Sequence, residues 1–260
     1  MDRNRIEELA ARALKTGRYL YTDFMGQGEL ASFLDYADDL KAAWRIEGGY
    51  EEAERGIICF GDELLTGYTE DAPIRLISIK PRGGKFAEKL THRDYLGALM
   101  SLGITREMLG DIIVTDGDGA DGKSASAKQE GTAAYVFAID HMADYIIENL
   151  LSIKHTAVDV ASVDKLPEGI GTTKEEMRIT VSSNRLDAVV ASVFKLSREI
   201  ASGLVNEGKV FINGRTAVKK EKSLLSGDRV SVRGYGKFCF GEENGVTKKG
   251  RCSMTVFIYK

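Results

Sequence analysis

RLDAVVASVFKLSREIASGLVNEGKVFING, residues 185–214, is the stretch on which the fold turns. Leu186, Val189, Val190, Val193 and Phe194 recur at helical spacing and form one apolar stripe. Lys195-Leu196 breaks the pattern, and Ser197 stands where an N-cap belongs, with Glu199 in the first turn to suit the helix dipole. Ile200, Ala201, Leu204 and Val205 give the second helix its inward face, and Gly208 closes it. A short apolar strand follows, ending in Asn213-Gly214, a strong hairpin-turn signal. Beyond it come Lys219, Lys220 and Lys222, then Gly227-Asp228, then a strand from Arg229 to Arg233 in which Val230 and Val232 alternate. The pattern predicts two helices followed by a small sheet.

The charges of this region have a direction. Residues 183–260 hold 15 Lys and Arg against 7 Asp and Glu, whereas residues 1–182 hold 21 against 32, and the two balances sum to the net −3 of the chain. A basic module on an acidic chain points to a polyanionic partner. Arg198 falls in the first turn of the second helix, where the dipole disfavours a cation. Two readings stand for it: a phosphate drawn to that helix start, or an ion pair with Asp187 across the two helices. The lysine run reads as a phosphate contact or as a solvated face. Arg185 and Asp187 read first as scaffold.

Arg185-Leu186-Asp187, Ser197-Arg198, Gly208-Lys209-Val210, Ile212-Asn213-Gly214 and Gly227-Asp228-Arg229-Val230 through Val232-Arg233-Gly234 together resemble the S4 RNA-binding domain over residues 183–238. The resemblance implies contact with folded RNA through shape and backbone, without a base-stacking row of aromatics, and none is evident in the module. The RNA-contact candidates are Arg185, Ser197, Arg198, Lys209, Asn213, Arg215, Lys219, Lys220, Lys222, Arg233 and Lys237.

Upstream, the rhythm is mixed. Ile74–Ile79, Asp111–Thr115, Ala133–Ile139 and Ile153–Val163 read as strands, with helices over Arg93–Leu102 and Asp140–Leu151. The order βαββαβ predicts a ferredoxin-like middle domain. Tyr135 and Phe137 alternate on its third strand, but the first strand, IRLISI, offers no aromatic partner, so core packing is expected rather than the base stacking of an RRM. Asp116–Gly131 fails the EF-hand spacing, with Ala120, Asp121 and Ala127 at the fifth, sixth and twelfth positions, and reads as a mobile hairpin loop. Lys80, Arg82, Lys85, Lys89, His92 and Arg93 make a second dense basic stretch, read either as a phosphate cradle at a helix start or as a solvated loop. Thr91, with Asp94 three residues on, suits a capping box there. The segment Lys85-Phe86-Ala87 through Leu90–Asp94, Leu96–Leu99, Leu102-Gly103-Ile104 and Gly110-Asp111-Ile112 is similar to the middle domain of the YlmH family, bacterial proteins with a C-terminal S4 domain. Domain order and length agree.

The N-terminal 70 residues read as acidic and mainly helical, with helices over 4–15 and from about Glu29 to Arg45. The whole is therefore expected to be α+β, with segments 1–70, 71–165 and 178–260 and a linker at 164–177. With 43% hydrophobic and 29% charged residues, wholesale disorder is excluded. No apolar run reaches the roughly 18 residues of a membrane span, and the N-terminus lacks an apolar signal core, so a soluble cytoplasmic protein is expected. Cys59, Cys239 and Cys252 are odd in number and far apart, against a disulfide framework or a zinc site. His92, His141 and His155 show no ligand spacing, and His141 reads as a neighbour of a helix cap. Gly83-Gly84-Lys85 is not a P-loop, and the motifs of a pseudouridine synthase, a methyltransferase or a tyrosyl-tRNA synthetase are not evident. No catalytic residue, metal or cofactor is expected. The family resemblance implies ribosomal RNA of the large subunit, with tRNA near it, and a role in rescue or quality control of stalled translation. The acidic helical part is left to meet a protein. The alternatives are an RNA-modifying enzyme targeted by its S4 domain and an interaction scaffold tied to cell division.

Overall fold

The computed structural model describes residues 2–83, 88–115, 133–167, 170, 174–246 and 250–259. The chain forms two compact units, Met1–Gly171 and Thr172–Lys260.

The first unit opens with α1 (Arg3–Thr16), which ends where Gly17 turns left-handed at φ 60°. Then come β1 (Leu20–Tyr21), α2 (Gln27–Leu34), a 3-10 turn over Ala37–Asp39, β2 (Trp44–Glu47), β3 (Ile57–Phe60) and the short α3 (Glu63–Thr66). The helix expected to reach Arg45 stops at Leu34. Trp44, Arg45 and Ile46 instead pair antiparallel with Phe60, Cys59 and Ile58, in a small sheet of order β1-β3-β2. All four residues of β3 are buried, because the strand is covered on both faces. Ile58 and Phe60 pack with Ile6, Ala10, Ala13 and Phe33, while Ile57 and Cys59 face the next sheet.

That next sheet is built by β4 (Ile74–Pro81), α4 (His92–Ser101), β5 (Leu109–Thr115), β6 (Ala133–Ile139), α5 (Asp140–Asn149), β7 (Ser152–Ile153) and β8 (Thr156–Val163). The spatial order β5-β6-β4-β8-β7, antiparallel throughout, is the ferredoxin-like arrangement extended by a two-residue hairpin strand. Strand periodicity divides β6 between two cores. Ala134, Val136 and Ala138 face α4 and α5, whereas Tyr135, Phe137 and Ile139 pack against Phe24, Ile57 and Cys59 of the N-terminal segment. Tyr135 and Phe137 are only 5% and 2% exposed, so the expected core role holds and the RRM-type stacking face is covered. The Asp-rich loop at 116–131 lies outside the described residues.

In the second unit, β9 (Lys174–Val181) leads to α6 (Leu186–Val193), α7 (Arg198–Asn206), β10 (Val210–Ile212), β11 (Arg215–Thr216), β12 (Arg229–Val232), β13 (Gly236–Val246) and β14 (Cys252–Tyr259). One six-stranded sheet results, of order β11-β10-β12-β13-β14-β9. The linker expected to run to residue 177 ends earlier, and β9 starts at Lys174, because it pairs with β14 along its whole length from Lys174↔Tyr259 to Val181↔Cys252. Helices α6 and α7 cover one face of the sheet through Leu186, Val189, Val190, Val193, Ala201 and Val205. The Ser197 hydroxyl accepts a bond from the Ile200 amide at 3.2 Å and caps α7. Asn213 and Gly214 both take positive φ, 49° and 78°, as the two-residue hairpin requires.

Candidate nucleic-acid interface

The start of α6 is strapped to the lysine run. The Leu186 and Asp187 amides donate to the carbonyls of Lys222 and Lys220. These two amides belong to the unpaired N-terminal turn of the helix and would otherwise lack partners. The backbone of residues 220–222 is thereby fixed at the start of α6, with Lys220 and Glu221 beside Arg185 and Arg198. A shallow hollow of about 530 Å³ forms there, lined by Arg185, Arg198 and Lys220 together with Asp187, Glu199 and Glu221.

Asp187 organises this hollow. Its side chain is 3% exposed, and its carboxylate accepts four bonds: two from Arg185 at 3.1 Å each, and two from Arg198 at 3.1 and 3.3 Å. Both readings of Arg198 meet here. The ion pair with Asp187 exists, yet the arginine side chain remains 50% exposed, so the guanidinium is held in place with a face left to solvent. Burial pushes the Asp187 carboxyl pKa up, but the hydrogen bonds from Arg185 and Arg198 outweigh it and the net direction is down. Arg185 also reaches Glu221 at 3.5 Å.

The other candidates divide. Lys219 and Lys222 are exposed and Lys220 half-buried, and among the described residues these three enter no ion pair. Lys209 pairs with Glu207 at 2.6 Å. Asn213 is committed to the fold, since its amide donates to Asp228 at 2.8 Å and its carbonyl accepts from the Arg229 amide at 2.9 Å. Ser197 is engaged as the cap of α7. Arg215 is exposed on its edge strand. Arg233 lies 5.8 Å from the centroid of the Phe211 ring. Lys237 sits on the sheet, half-buried, and burial lowers its pKa. The hollow thus brings together Arg185, Arg198 and Lys220, Lys219 and Lys222 follow on the same strap, and Arg233 and Lys237 belong to the sheet.

The module read as lacking a base-stacking row covers residues 183–238, and the sheet continues beyond it through β13 and β14. Strand periodicity turns Phe211, Phe257 and Tyr259 to the face opposite α6 and α7, because their neighbours Val210, Ile212, Val256 and Ile258 pack inward. The sequence signal was present in the alternation of β14. It was missed because β14 lies beyond the segment that carries the S4 resemblance.

In the first unit, the second basic stretch gathers around the β7–β8 turn. Arg82 is paired with Asp159 at 2.6 Å, and Lys80 stands opposite Asp159 in register. Lys89, His92 and Arg93 are exposed, and Lys85 lies outside the described residues. Thr91 and Asp94 form the expected capping box, with the Asp94 carboxylate accepting from the Thr91 amide and hydroxyl. Lys154 adds an ion pair to Asp94 at 2.9 Å, and together these bonds hold the carboxyl pKa down at about 2. The anion favoured at the start of α4 is therefore supplied from within the fold. Partial burial and the nearby Arg106 lower the pKa of His92. The Asp140 carboxylate binds Arg75, and His141 beside it is exposed. Among the described residues there is no cluster of three or more His, Cys, Asp or Glu placed to hold a metal. No helix among them is long and apolar enough to cross a membrane.

Comparisons with known proteins agree with this division. Residues 68–121 match the family described as "Putative RNA-binding domain in YlmH", and residues 184–230 match the S4 domain. The chain is 28% identical over 242 residues to the "Ribosome-associated protein quality control protein P2" of Bacillus subtilis (strain 168), covering 92% of this chain and 86% of the relative. A solved structure, "Cell division protein ylmH from Streptococcus pneumoniae", aligns with a TM-score of 0.48 at 15% identity, over 65% of this chain and 92% of that one. The resemblance to the YlmH family drawn from the sequence is borne out by these matches.

Proposed function

We propose that this chain is a non-catalytic, cytoplasmic RNA-binding protein that grips structured ribosomal RNA of the large subunit, with tRNA close by. In this reading it serves the rescue or quality control of stalled translation. Segments 1–70, 71–165 and 178–260 divide the work: the last grips RNA, the middle one adds the weaker contact around Lys80, Lys89, His92 and Arg93, and the acidic first part meets a protein. One observation carries the reading. A single buried carboxylate, Asp187, fixes two guanidiniums side by side under a strap whose three lysines are unpaired among the described residues. Pre-set cations of this kind position a phosphate backbone without reading bases. The name of the Bacillus subtilis relative supports the ribosomal setting.

The test is cosedimentation with separated ribosomal subunits, joined to binding of a labelled ribosomal RNA hairpin across a salt series. Changing Arg198, Lys219 and Lys220 together to Ala is expected to weaken both. Each lost phosphate contact lowers the slope of log K against log salt by roughly 0.7 to 0.9. An unchanged slope, or wild-type protein that stays off the large subunit, refutes the assignment. A modified nucleotide after incubation with ribosomal RNA refutes the non-catalytic part.

A further inference from the structure

We propose that the outward face of the six-stranded sheet is a second RNA contact, one that takes unpaired nucleotides. The proposal deepens the RNA-binding reading of the C-terminal unit and rests on it. Helices α6 and α7 cover one face of this sheet, and the opposite face carries side chains of two kinds. The first kind is aromatic: Phe211 on β10, with Phe257 and Tyr259 on β14, each half-buried and the Tyr259 hydroxyl fully so. Strands β12 and β13 lie between β10 and β14. Three strand spacings therefore separate the two aromatic stations, a distance of about 14 Å. The second kind is cationic. Lys237 stands in the row between Phe211 and Tyr259, and Arg229 in the row that leads to Phe257 through Cys239. The Arg233 guanidinium lies 5.8 Å from the Phe211 centroid, and the Lys174 ammonium 5.6 Å from that of Tyr259. Arg178 adds another cation on β9, and Glu176, 3.5 Å from it, is the carboxylate this strand contributes to the face.

The geometry suits bases. Phe257 packs over Gly241, where a Cβ would come to 3.0 Å from its ring, so glycine lets the ring approach the sheet closely. A ring held close to a sheet in this way can stack a base of any sequence. Charge separates RNA from an apolar protein partner. A face on which Lys and Arg outnumber the carboxylates is costly to bury against an apolar surface, whereas its sign suits a phosphate chain threading between two stacking stations. The arrangement differs from the Asp187 hollow, which holds no aromatic side chain and is built on helix starts. The S4 match ends at residue 230, before β13 and β14 supply two of the three aromatics.

The experiment uses the full-length chain and two labelled probes, an unstructured oligouridylate and a ribosomal RNA hairpin. The paired change Phe257→Thr and Tyr259→Thr keeps strand-forming residues in β14. It is expected to weaken oligouridylate binding about 5- to 150-fold for each lost stacking contact while leaving hairpin affinity within about twofold. The Arg198, Lys219 and Lys220 triple change should do the reverse. Wild-type protein carrying 4-thiouridine-substituted oligonucleotide should crosslink to peptides holding Phe211 or Phe257, which tests the site without any substitution. Equal loss on both probes, or crosslinks confined to the lysine strap, overturns the second contact alone. Failure of wild-type protein to bind the hairpin overturns the RNA reading of the unit.

Discussion

Replacing Asp187 with Asn separates two effects that oppose each other at the hollow proposed to grip RNA. The carboxylate carries a negative charge that repels phosphate. Its removal, at about 8 Å from a bound phosphate, is worth roughly 0.5 kcal/mol at the dielectric of water and about 2 kcal/mol at the effective value near 20 that suits a buried carboxylate, and salt in the open hollow brings it toward about 1 kcal/mol. Against this stands the loss of position. Arg185 and Arg198 each give two hydrogen bonds to this one buried group. Untethered, each guanidinium regains rotamer freedom, of which an arginine carries about 2 kcal/mol in full. A penalty of about 1–2 kcal/mol on RNA binding, or roughly 5- to 30-fold, follows from losing part of that order at both residues. Positioning is at least as large and, unlike the charge effect, is not screened by salt, so at physiological salt and above D187N is expected to bind a ribosomal RNA hairpin more weakly although it is one charge more positive. Fluorescence anisotropy across a salt series tells this apart from losing a contact. In D187N affinity falls while the salt slope stays constant, because no cation is removed; in Arg198→Ala both fall. Stability responds too. Both arginines can hydrate, so the loss sits below the usual range for breaking a buried pair, at about 2 kcal/mol, or roughly 10 °C in the melting of a unit this size. The Asp187 pKa is lowered on folding, so its contribution is complete above the ordinary carboxylate pKa near 4 and is lost as pH falls below that. D187N should lack this acid-side loss. Tighter RNA binding by D187N would refute the reasoning, because Asp187 would then be a competitor for the arginines rather than their mount.

The first unit offers two further tests. Asp94, held at a pKa of about 2 by Lys154 and the Thr91 cap, stabilises the start of α4 fully above pH 4 and loses that contribution as pH falls toward 2. Asp94→Asn should lower the melting temperature at pH 7 and flatten its decline between pH 4 and 2, with a wild-type acid profile counting against the cap. Gly49 adopts φ +89°, and a Cβ there would enter the Phe137 ring, on which Tyr50 stacks at 5.0 Å. Gly49→Ala should cost about 1–3 kcal/mol by overpacking, read as a lowered denaturant midpoint and a changed near-ultraviolet signal, whereas a neutral result would mean that the stack is not fixed.

Local patterns in the sequence were sufficient where the physics is local. The stripe on α6, the Ser197 cap, the Asn213-Gly214 turn and the Thr91–Asp94 box each depend on residues within a few positions of one another, and each is found where the spacing puts it. Pairings between distant segments were harder to read. The strands Trp44–Glu47 and Ile57–Phe60 are stable as a pair enclosed by two cores, and the helical pattern over 29–45 contains no sign of that enclosure. The same holds for β9, whose first residues are charged and take their strand conformation from β14, more than 70 positions away. At the site, Arg198 and Asp187 could be foreseen as partners. That Arg185 shares the same carboxylate, and that the strap anchors to the amides of α6, required the fold.

The two sheets also explain why the basic stretches of the chain are not equivalent. A strand sends alternate side chains to opposite faces, so every sheet has two faces to cover or to use. In the first unit both are covered: α4 and α5 lie on one, and the N-terminal segment seals Tyr135 and Phe137 on the other. RNA can then reach that sheet only at its ends, where Arg82 and the α4 start already have carboxylates of their own. In the second unit the helices cover one face alone, and the cations of the other lie beside aromatic rings. A charge census puts Lys80–Arg93 and Arg215–Lys237 on a par as basic segments. Burial separates them, because a cation paired with a carboxylate of its own fold must give up that partner before it can hold a phosphate, whereas among the described residues Arg233, beside the Phe211 ring, forms no ion pair.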